Sequence, residues 1–547
     1  MLVIRFRFMP DFDVDEAFAE LLRPMHRPSI PGGPRTVADV LDRPLAERPD
    51  AEFLVGRSKR VTYAEFDRLA DRAAAAFASL GVCAGDRVAM SLPADVDIVV
   101  GFHGLLRLGA IWLGINQNLA PPEKRFLLED GGVSLAVGDS AMAQQFQDVS
   151  AALPDLRQII VCDRDDPGCE WERLLAAANA PPPEVEIDPF QPAGLAYTSG
   201  TTGFPKGVVH SHHNLLVPGA VMVTQGDYFP GARRGDCFPL TILNMQVLTS
   251  LLVAQGGATC VFMDRIDSQG VAEWIREERV TLFTSPTALL YSLAHDPQVI
   301  AEDLQSLTRV LFGGGDCPQP IIDAFQDKFG IPVQGTYGLT EMPTVTATDP
   351  PGQRVQGASG VALPHIRVTI RDAEGRALPL GAAESGEVCV EAVDSGPWAG
   401  VYTPMLGYWR RPDATAETIQ EGRLHTGDIG RLDERGYLSI VDRKNLMILR
   451  GGANVYPAEI ERVLHEDERV EACVVVGVPD ERLGERVAAW VQLAPGESFD
   501  PGELIEHCRR RLAKYKVPER IELIDEMPRN AMNKIVRREL PAIDLSL

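Results

Sequence analysis

The densest chemistry in the chain is the string Tyr197-Thr198-Ser199-Gly200-Thr201-Thr202-Gly203-Phe204-Pro205-Lys206-Gly207. Its glycines let backbone N–H groups converge on an anion, four hydroxyl side chains can donate, and a lysine adds a mobile positive charge. That is phosphate-binding chemistry. It is not a Walker A loop, because Gly203 stands too far from Lys206 and Gly207 follows the lysine. His210, His212 and His213 come next, without the HExxH or another regular ligand spacing, and are read as having no metal role. The acidic run Glu466-Asp467-Glu468 is read as a solvated face.

Further segments follow in order: Thr336-Tyr337-Gly338-Leu339-Thr340-Glu341, His425-Thr426-Gly427-Asp428, Asp442-Arg443-Lys444, Gly451-Gly452-Ala453-Asn454-Val455-Tyr456-Pro457-Ala458-Glu459-Ile460-Glu461, and Pro528-Arg529-Asn530-Ala531-Met532-Asn533-Lys534-Ile535. Together with the first string they resemble the motifs of the adenylate-forming superfamily, which holds AMP-dependent acyl-CoA synthetases, nonribosomal-peptide adenylation domains and luciferases. The similarity runs from about residue 35 to 540.

The resemblance implies a role for each position. Thr198, Ser199, Gly200, Thr201, Thr202 and Lys206 would cradle the β- and γ-phosphates of ATP. Thr340 would bond the α-phosphate, and Glu341 would hold Mg²⁺, a hard cation that prefers carboxylate and phosphate oxygens. Tyr337 would offer a flat face to adenine beside Gly314, Gly315 and Asp316, with Thr336 and Gly338 flanking it. Asp428 would accept the ribose hydroxyls, approached by Arg443 from the hinge side. Lys534 would bridge the attacking carboxylate and the α-phosphate. Its predecessor is Asn533 where the family more often has glycine. Asn445 falls at the hinge about which the small domain turns. Gly451 and Gly452 would let pantetheine pass close to the backbone, with Arg450 as a partner for CoA phosphates. By position the acyl pocket involves Leu243, Asn244, Met245, Gly313 and Gly338. That set lacks an aspartate suited to an amino acid's ammonium and fits a hydrophobic carboxylate: fatty, cyclic or aromatic.

These residues need elements to hold them. Val61 to Leu80 reads as a helix, Arg87 to Leu92 as a strand, Ile98 to Leu108 as a second helix and Gly194 to Tyr197 as a strand. Such alternation suggests α/β layers, and about 355–440 is β-biased. Leu240 to Met263 is free of charges but broken by Asn244, Gln246, Gln255 and Gly256-Gly257, so it reads as a buried helix, a turn and a strand rather than a membrane span. The last hundred residues form a small α/β unit with strands at 472–476 and 487–491. A helix starts near Pro501, with Asp500 as its cap, Glu503 at capping-box spacing, and Leu504, Cys508 and Leu512 on one face. The expected fold is α/β: a large N-terminal domain, 1–442, of two layered sheets plus a β-rich subdomain, and a small mobile α+β domain, 443–547.

At 547 residues the chain must divide into several units. Its 53 basic and 77 acidic side chains leave a net charge of −24, which argues against nucleic-acid or anionic-lipid binding. Nine scattered cysteines form no CxxC pair, and arginines interrupt the N-terminal apolar stretch, so a reducing cytoplasm is expected. The expected reaction joins a carboxylate and CoA at the expense of ATP, releasing AMP and diphosphate. The CoA acceptor is expected because the chain ends soon after Lys534 with no carrier or reductase domain appended. Two rivals stay open: a stand-alone adenylation enzyme loading a carrier protein, and a luciferase-like oxidoreductase. A homodimer is compatible with the sequence.

Overall fold

The computed structural model describes residues 26–199, 205–226, 228–313, 317, 319–372, 374–443, 448–455, 457–467, 469–494, 496–498, 500–528, 540–543 and 545. Four sheets organise them. A seven-stranded sheet runs in the order Gly407–Tyr408, Pro205–Ser211, Pro192–Ser199, Ile111–Gly114, Arg87–Ser91, Leu135–Gly138, Gln158–Val161. Its last five strands are parallel, and its first two add on antiparallel. A nine-stranded sheet carries Arg309–Gly313 and Val333–Leu339 as parallel neighbours. A five-stranded antiparallel sheet is built on Gly386–Ala392, Arg423–Leu432 and Leu438–Arg443. A separate five-stranded sheet begins at Ile448–Arg450 and is dominated by the hairpin Val470–Asp480/Gly484–Leu493.

Local rules account for the first layer. Thr62 caps the helix Tyr63–Ser79 in a reciprocal capping box with Glu65. Phe66, Ala70, Ala73, Ala74 and Phe77 then fall on one buried stripe. That stripe meets the helix Val96–Arg107, where a side chain on Gly104 would lie 2.6 Å from the Ala73 methyl. Phe66 is fully buried, and cutting it to alanine would cost about 3–5 kcal/mol. The strand Arg87–Ser91 is buried along its whole length, as a central parallel strand must be.

The charge-free stretch resolves into helix Leu243–Gln246, a π-helical turn Val247–Leu251, helix Leu252–Gly256, and the strand Thr259–Phe262 after a left-handed Gly257. The π turn was not legible from periodicity. It places Thr249 where its hydroxyl bonds the buried carboxylate of Asp236. In the small domain Asp500 caps the helix Pro501–Arg509 through the Gly502 amide, at 2.8 Å. Glu503 does not complete a capping box. It turns to Arg469 at 2.7 Å, because an ion pair across to the neighbouring loop is available. Leu504, Cys508 and Leu512 are buried together.

The three histidines after the first string lie inside the molecule. Ser211 and Asn214 cap the helix His212–Thr224, His212 Nδ1 accepts from the Val37 amide, and His213 stacks on Phe190. Burial lowers His210 and His212 to about 4, and His103 and His365 to about 3, so all four are neutral in the fold. In the unfolded chain they protonate near 6.5. Between that value and about 4 the unfolded state therefore binds more protons, and stability falls as pH falls. Each group contributes up to about 1.4 kcal/mol per pH unit in this window. Urea midpoints measured from pH 7 to pH 5 should drop, and the drop should be shallower in His365→Leu. A midpoint independent of pH over that range would contradict the neutral burial of these rings.

Candidate active site

The described parts of the phosphate-type string, on either side of residues 200–204, lie on two antiparallel strands. Thr198 pairs with Lys206 across the strands Pro192–Ser199 and Pro205–Ser211, so this hydroxyl and the lysine share one face of the hairpin. Gly207 is needed for packing: a Cβ there would come within 2.7 Å of Leu195 Cδ1 and 3.2 Å of both Tyr197 Cζ and Trp409 Cβ. The hairpin is extended by Gly407–Tyr408, whose Tyr408 lies opposite Val208. From there the Tyr408 O–H donates to Glu341 Oε1 at 2.7 Å, and the Lys206 ammonium sits 4.9 Å from the ring centre. Thr340 is anchored as well, its carbonyl 2.7 Å from His210 Nε2, which must be the protonated ring nitrogen because a carbonyl only accepts. Thr198, Lys206, Thr340 and Glu341 are thus bound into one frame. Tyr408 joins that frame although its sequence context carries no chemical signal.

A second group forms beside it. The Thr336 hydroxyl donates to the Phe312 carbonyl at 2.9 Å, and the Tyr337 O–H donates to Asp428 Oδ2 at 2.5 Å. The Asp428 amide bonds Thr426 Oγ1, and its backbone pairs with Arg443 in the antiparallel sheet. The motif residues Tyr337, Asp428 and Arg443 are therefore brought to one place from two sheets. Near it, His425 Nδ1 lies 3.0 Å from Glu387 Oε2 and 3.5 Å from Cys389 Sγ. These are metal-ligand types, but their contacts close on the imidazole itself. The predicted residues Gly200, Thr201, Thr202, Gly314, Gly315, Asp316, Asn445 and Lys534 lie outside the described residues.

A groove of about 1120 Å³ connects the hairpin to the small domain. Thr198, Asn244 and Thr340 line it on one side, and Arg450, Gly451 and Gly452 on the other. One wall is the turn Thr241–Asn244, which passes so close to Gly114 that a Cβ there would meet the Thr241 carbonyl at 1.9 Å. Ile242 and Ile266 are exposed along it. Met245, expected in this wall, instead packs into the main core, because the helix that starts at Leu243 turns it inward. Gly313 and Gly338 sit on adjoining strands, with Gly313 paired to Thr336. Gly452 has φ +84, and a Cβ on it would stand 2.8 Å from Pro286 Cβ, so the glycine loop rests directly on the large domain. Arg450 lines the groove, yet its guanidinium is already bound to Glu519 at 2.5 Å and to the Tyr515 carbonyl at 2.8 Å. In this structure it thereby braces the small domain at the groove. The exposed cations at the groove are Arg482 and Lys514.

The family described as "AMP-binding enzyme" matches residues 41–409, and "AMP-binding enzyme C-terminal domain" matches 459–534. The chain belongs to the AMP-binding enzyme family. It is an AMP-forming acid–thiol ligase of the adenylate-forming superfamily, with the α/β fold and separate C-terminal domain of such enzymes. Among relatives, a fatty acid–[acyl-carrier-protein] ligase of Streptomyces coeruleorubidus is 32% identical over 526 residues, 94% of this chain and 97% of that protein. A long-chain-fatty-acid–CoA ligase of Mycobacterium tuberculosis is 33% identical over 496 residues, 88% and 92% of the two chains. A double mutant of the o-succinylbenzoate CoA synthetase of Bacillus subtilis, bound with its product analogue, superposes with a TM-score of 0.80 at 29% identity, covering 92% of this chain and 97% of that one. The same enzyme in complex with its acyl-adenylate intermediate gives 0.64 at 28% identity, covering 92% and 98%. No helix among the described residues is long and apolar enough to cross a membrane.

The Tyr408 hydrogen bond predicts a measurable effect. Tyr408→Phe keeps the ring under Lys206 and removes the donor that orients Glu341. A hydrogen bond to a charged group contributes about 1.5–3 kcal/mol, so pyrophosphate release should slow by about 10- to 100-fold and require more Mg²⁺ for half-maximal rate. An unchanged Mg²⁺ dependence would show that the phenol does not orient that carboxylate.

Proposed function

We propose that this chain joins a hydrophobic carboxylic acid to CoA in two steps through an acyl-adenylate, with residues 1–442 forming the adenylation domain and 443–547 the domain that alternates between the steps. In the first step a carboxylate oxygen of the acid attacks the α-phosphorus of ATP, and the bond to the pyrophosphate breaks. Thr198, Ser199, Gly200, Thr201, Thr202 and Lys206 bind the departing phosphates. Thr340 bonds the α-phosphate and Lys534 bridges it to the incoming carboxylate. Tyr337, with Gly314, Gly315 and Asp316, holds adenine, and Asp428 and Arg443 hold ribose. Glu341 suits Mg²⁺, since it is a hard oxygen donor fixed through one oxygen by Tyr408. The ion, when bound, neutralises phosphate charge.

In the second step the CoA thiol attacks the acyl carbonyl and AMP leaves. The observation that carries this reading is the groove running from Thr198 and Thr340 to the Gly451-Gly452 loop. It brings the place of adenylate formation and a backbone passage for a pantetheine arm into one cavity. The better match to the relative's product-analogue complex than to its adenylate complex supports reading this domain orientation as the thioester-forming one. Arg482 and Lys514 at the groove fit the phosphates of CoA. Ile242, Leu243, Phe238 and Ile266 make an apolar wall, which favours an aliphatic or aromatic acyl group. A carrier-protein pantetheine arm is the second reading, favoured by the acyl-carrier-protein ligase among the relatives.

AMP and pyrophosphate release should be measured with Mg-ATP across straight-chain, branched, aromatic and dicarboxylic acids, with and without CoA. Turnover on one hydrophobic class only when CoA is present is the expected outcome. A single burst that CoA does not extend would move the acceptor to a carrier protein. Lys534→Ala should lower adenylation by at least about 100-fold while the variant still binds ATP. Full adenylation activity in that variant would remove the lysine from the mechanism.

A further inference from the structure

The contact between the two domains contains a buried charge cluster with no part in the scheme above. Glu123 lies in the first turn of helix Pro121–Asp130 of the large domain. Lys516 ends the short turn Lys514–Lys516 of the small domain. Glu459 lies in the first turn of Pro457–Leu464, the helix that follows the glycine loop. Lys516 Nζ is 2.7 Å from Glu123 Oε1 and 2.8 Å from Glu459 Oε1, and the three side chains are 9%, 10% and 4% exposed in that order. The Ala513 amide also crosses to Glu123, donating to Oε2 at 3.0 Å. The same oxygen accepts the Ala120 amide at the start of its own helix, at 2.6 Å. Both oxygens of Glu123 are therefore engaged by the small domain.

A buried ammonium between two carboxylates adds little net stability, because desolvation offsets the attraction; its attested use is to specify one arrangement over others. This cluster has the makings of such a device. The Lys516–Glu459 pair lies within the small domain and persists if the domains part. The bonds to Glu123 exist only in this docked orientation. Burial raises the Glu459 carboxyl, Lys516 opposes that, and the nearby Glu123 carboxylate raises it again. Glu459 Oε2 is buried with no hydrogen-bond partner among the described residues, so Lys516 is what holds this carboxylate. At its far end the Glu123 helix reaches Asp130, which accepts the Tyr197 O–H at 2.7 Å and pairs with Arg411 at 2.7 Å. One helix thus touches the domain contact and the phosphate hairpin.

We infer that Glu123 is a positioning residue for the thioester-forming step: by holding Lys516 and the Ala513 amide it fixes the small domain where Gly451 and Gly452 face the groove. This rests on the two-step reading above. Glu123→Gln keeps the shape and one acceptor oxygen while removing the charge and turning the other oxygen into a donor. ATP–pyrophosphate exchange, which reads the first step, should stay within about twofold of the parent. Transfer from preformed adenylate to CoA in a single turnover should slow by at least about tenfold, and Glu123→Asp should recover part of it. Lys516→Met leaves the Glu123 helix cap intact and should give the same split, which covers the case of a poorly folded Glu123 variant. Equal losses in both steps, or normal transfer in both variants, would overturn the inference. If the parent enzyme makes adenylate but no thioester, the reading of the reaction fails instead. The inter-domain distance from paired fluorophores then tests Glu123 alone: a shifted distribution in Glu123→Gln supports it, and an unchanged one overturns it.

Discussion

One strand register underlies the active site: Thr198 opposite Lys206 in the hairpin that closes the seven-stranded sheet. Side chains alternate along a strand, so a slip by one residue would send the lysine to the opposite face. Gly207 and its crowded surroundings leave no room for such a slip. The register also decides where Tyr408 lands, since Gly407–Tyr408 pairs with the same strand, and with it the carboxylate that Tyr408 holds. His210, four residues after Lys206, ties the same strand to Thr340. Parts supplied from separate sheets are therefore positioned by a single ladder of backbone hydrogen bonds.

A recurring device handles negative charge around that ladder. Three tyrosines each hold a carboxylate: Tyr197 with Asp130, Tyr337 with Asp428 and Tyr408 with Glu341. A phenol fixes a carboxylate by donating one hydrogen bond without bringing a cation of its own. In a chain of net charge −24 that must receive a triphosphate, this leaves the positive charge of Lys206 for the ligand. Asp130 also pairs with Arg411, whereas an arginine in place of Tyr408 would orient Glu341 but would cancel its charge.

Much of this was legible in the sequence wherever one contiguous segment carried the information. The helix Tyr63–Ser79 falls within the expected Val61 to Leu80, and the Leu240 to Met263 stretch announced its breaks. Thr336 to Glu341 and Asp428 could be assigned jointly through motif order, and the structure brings Tyr337 and Asp428 into contact. Illegible features depended on partners far along the chain. Tyr408 is 67 residues from Glu341, and Lys516 is 393 from Glu123. Glu503 had a local capping-box pattern, but its carboxylate pairs instead with Arg469 across a loop. Met245 was misplaced because helical rotation, not sequence adjacency, decides which neighbour of Asn244 faces the groove.

The π-helical turn Val247–Leu251 has a consequence for how this segment varies. A π turn is an α-helix accommodating one surplus residue. Here the surplus lets Thr249 and Ser250 both be buried, Thr249 on Asp236 and Ser250 folded back on the Gln246 carbonyl. Removing one residue between 247 and 251 would restore an unbroken α-helix while leaving the groove turn before it and the strand after it nearly in place. The segment is thus a point of length tolerance inside the core: deleting one residue there should keep the groove turn and the following strand, at the cost of the Asp236 contact.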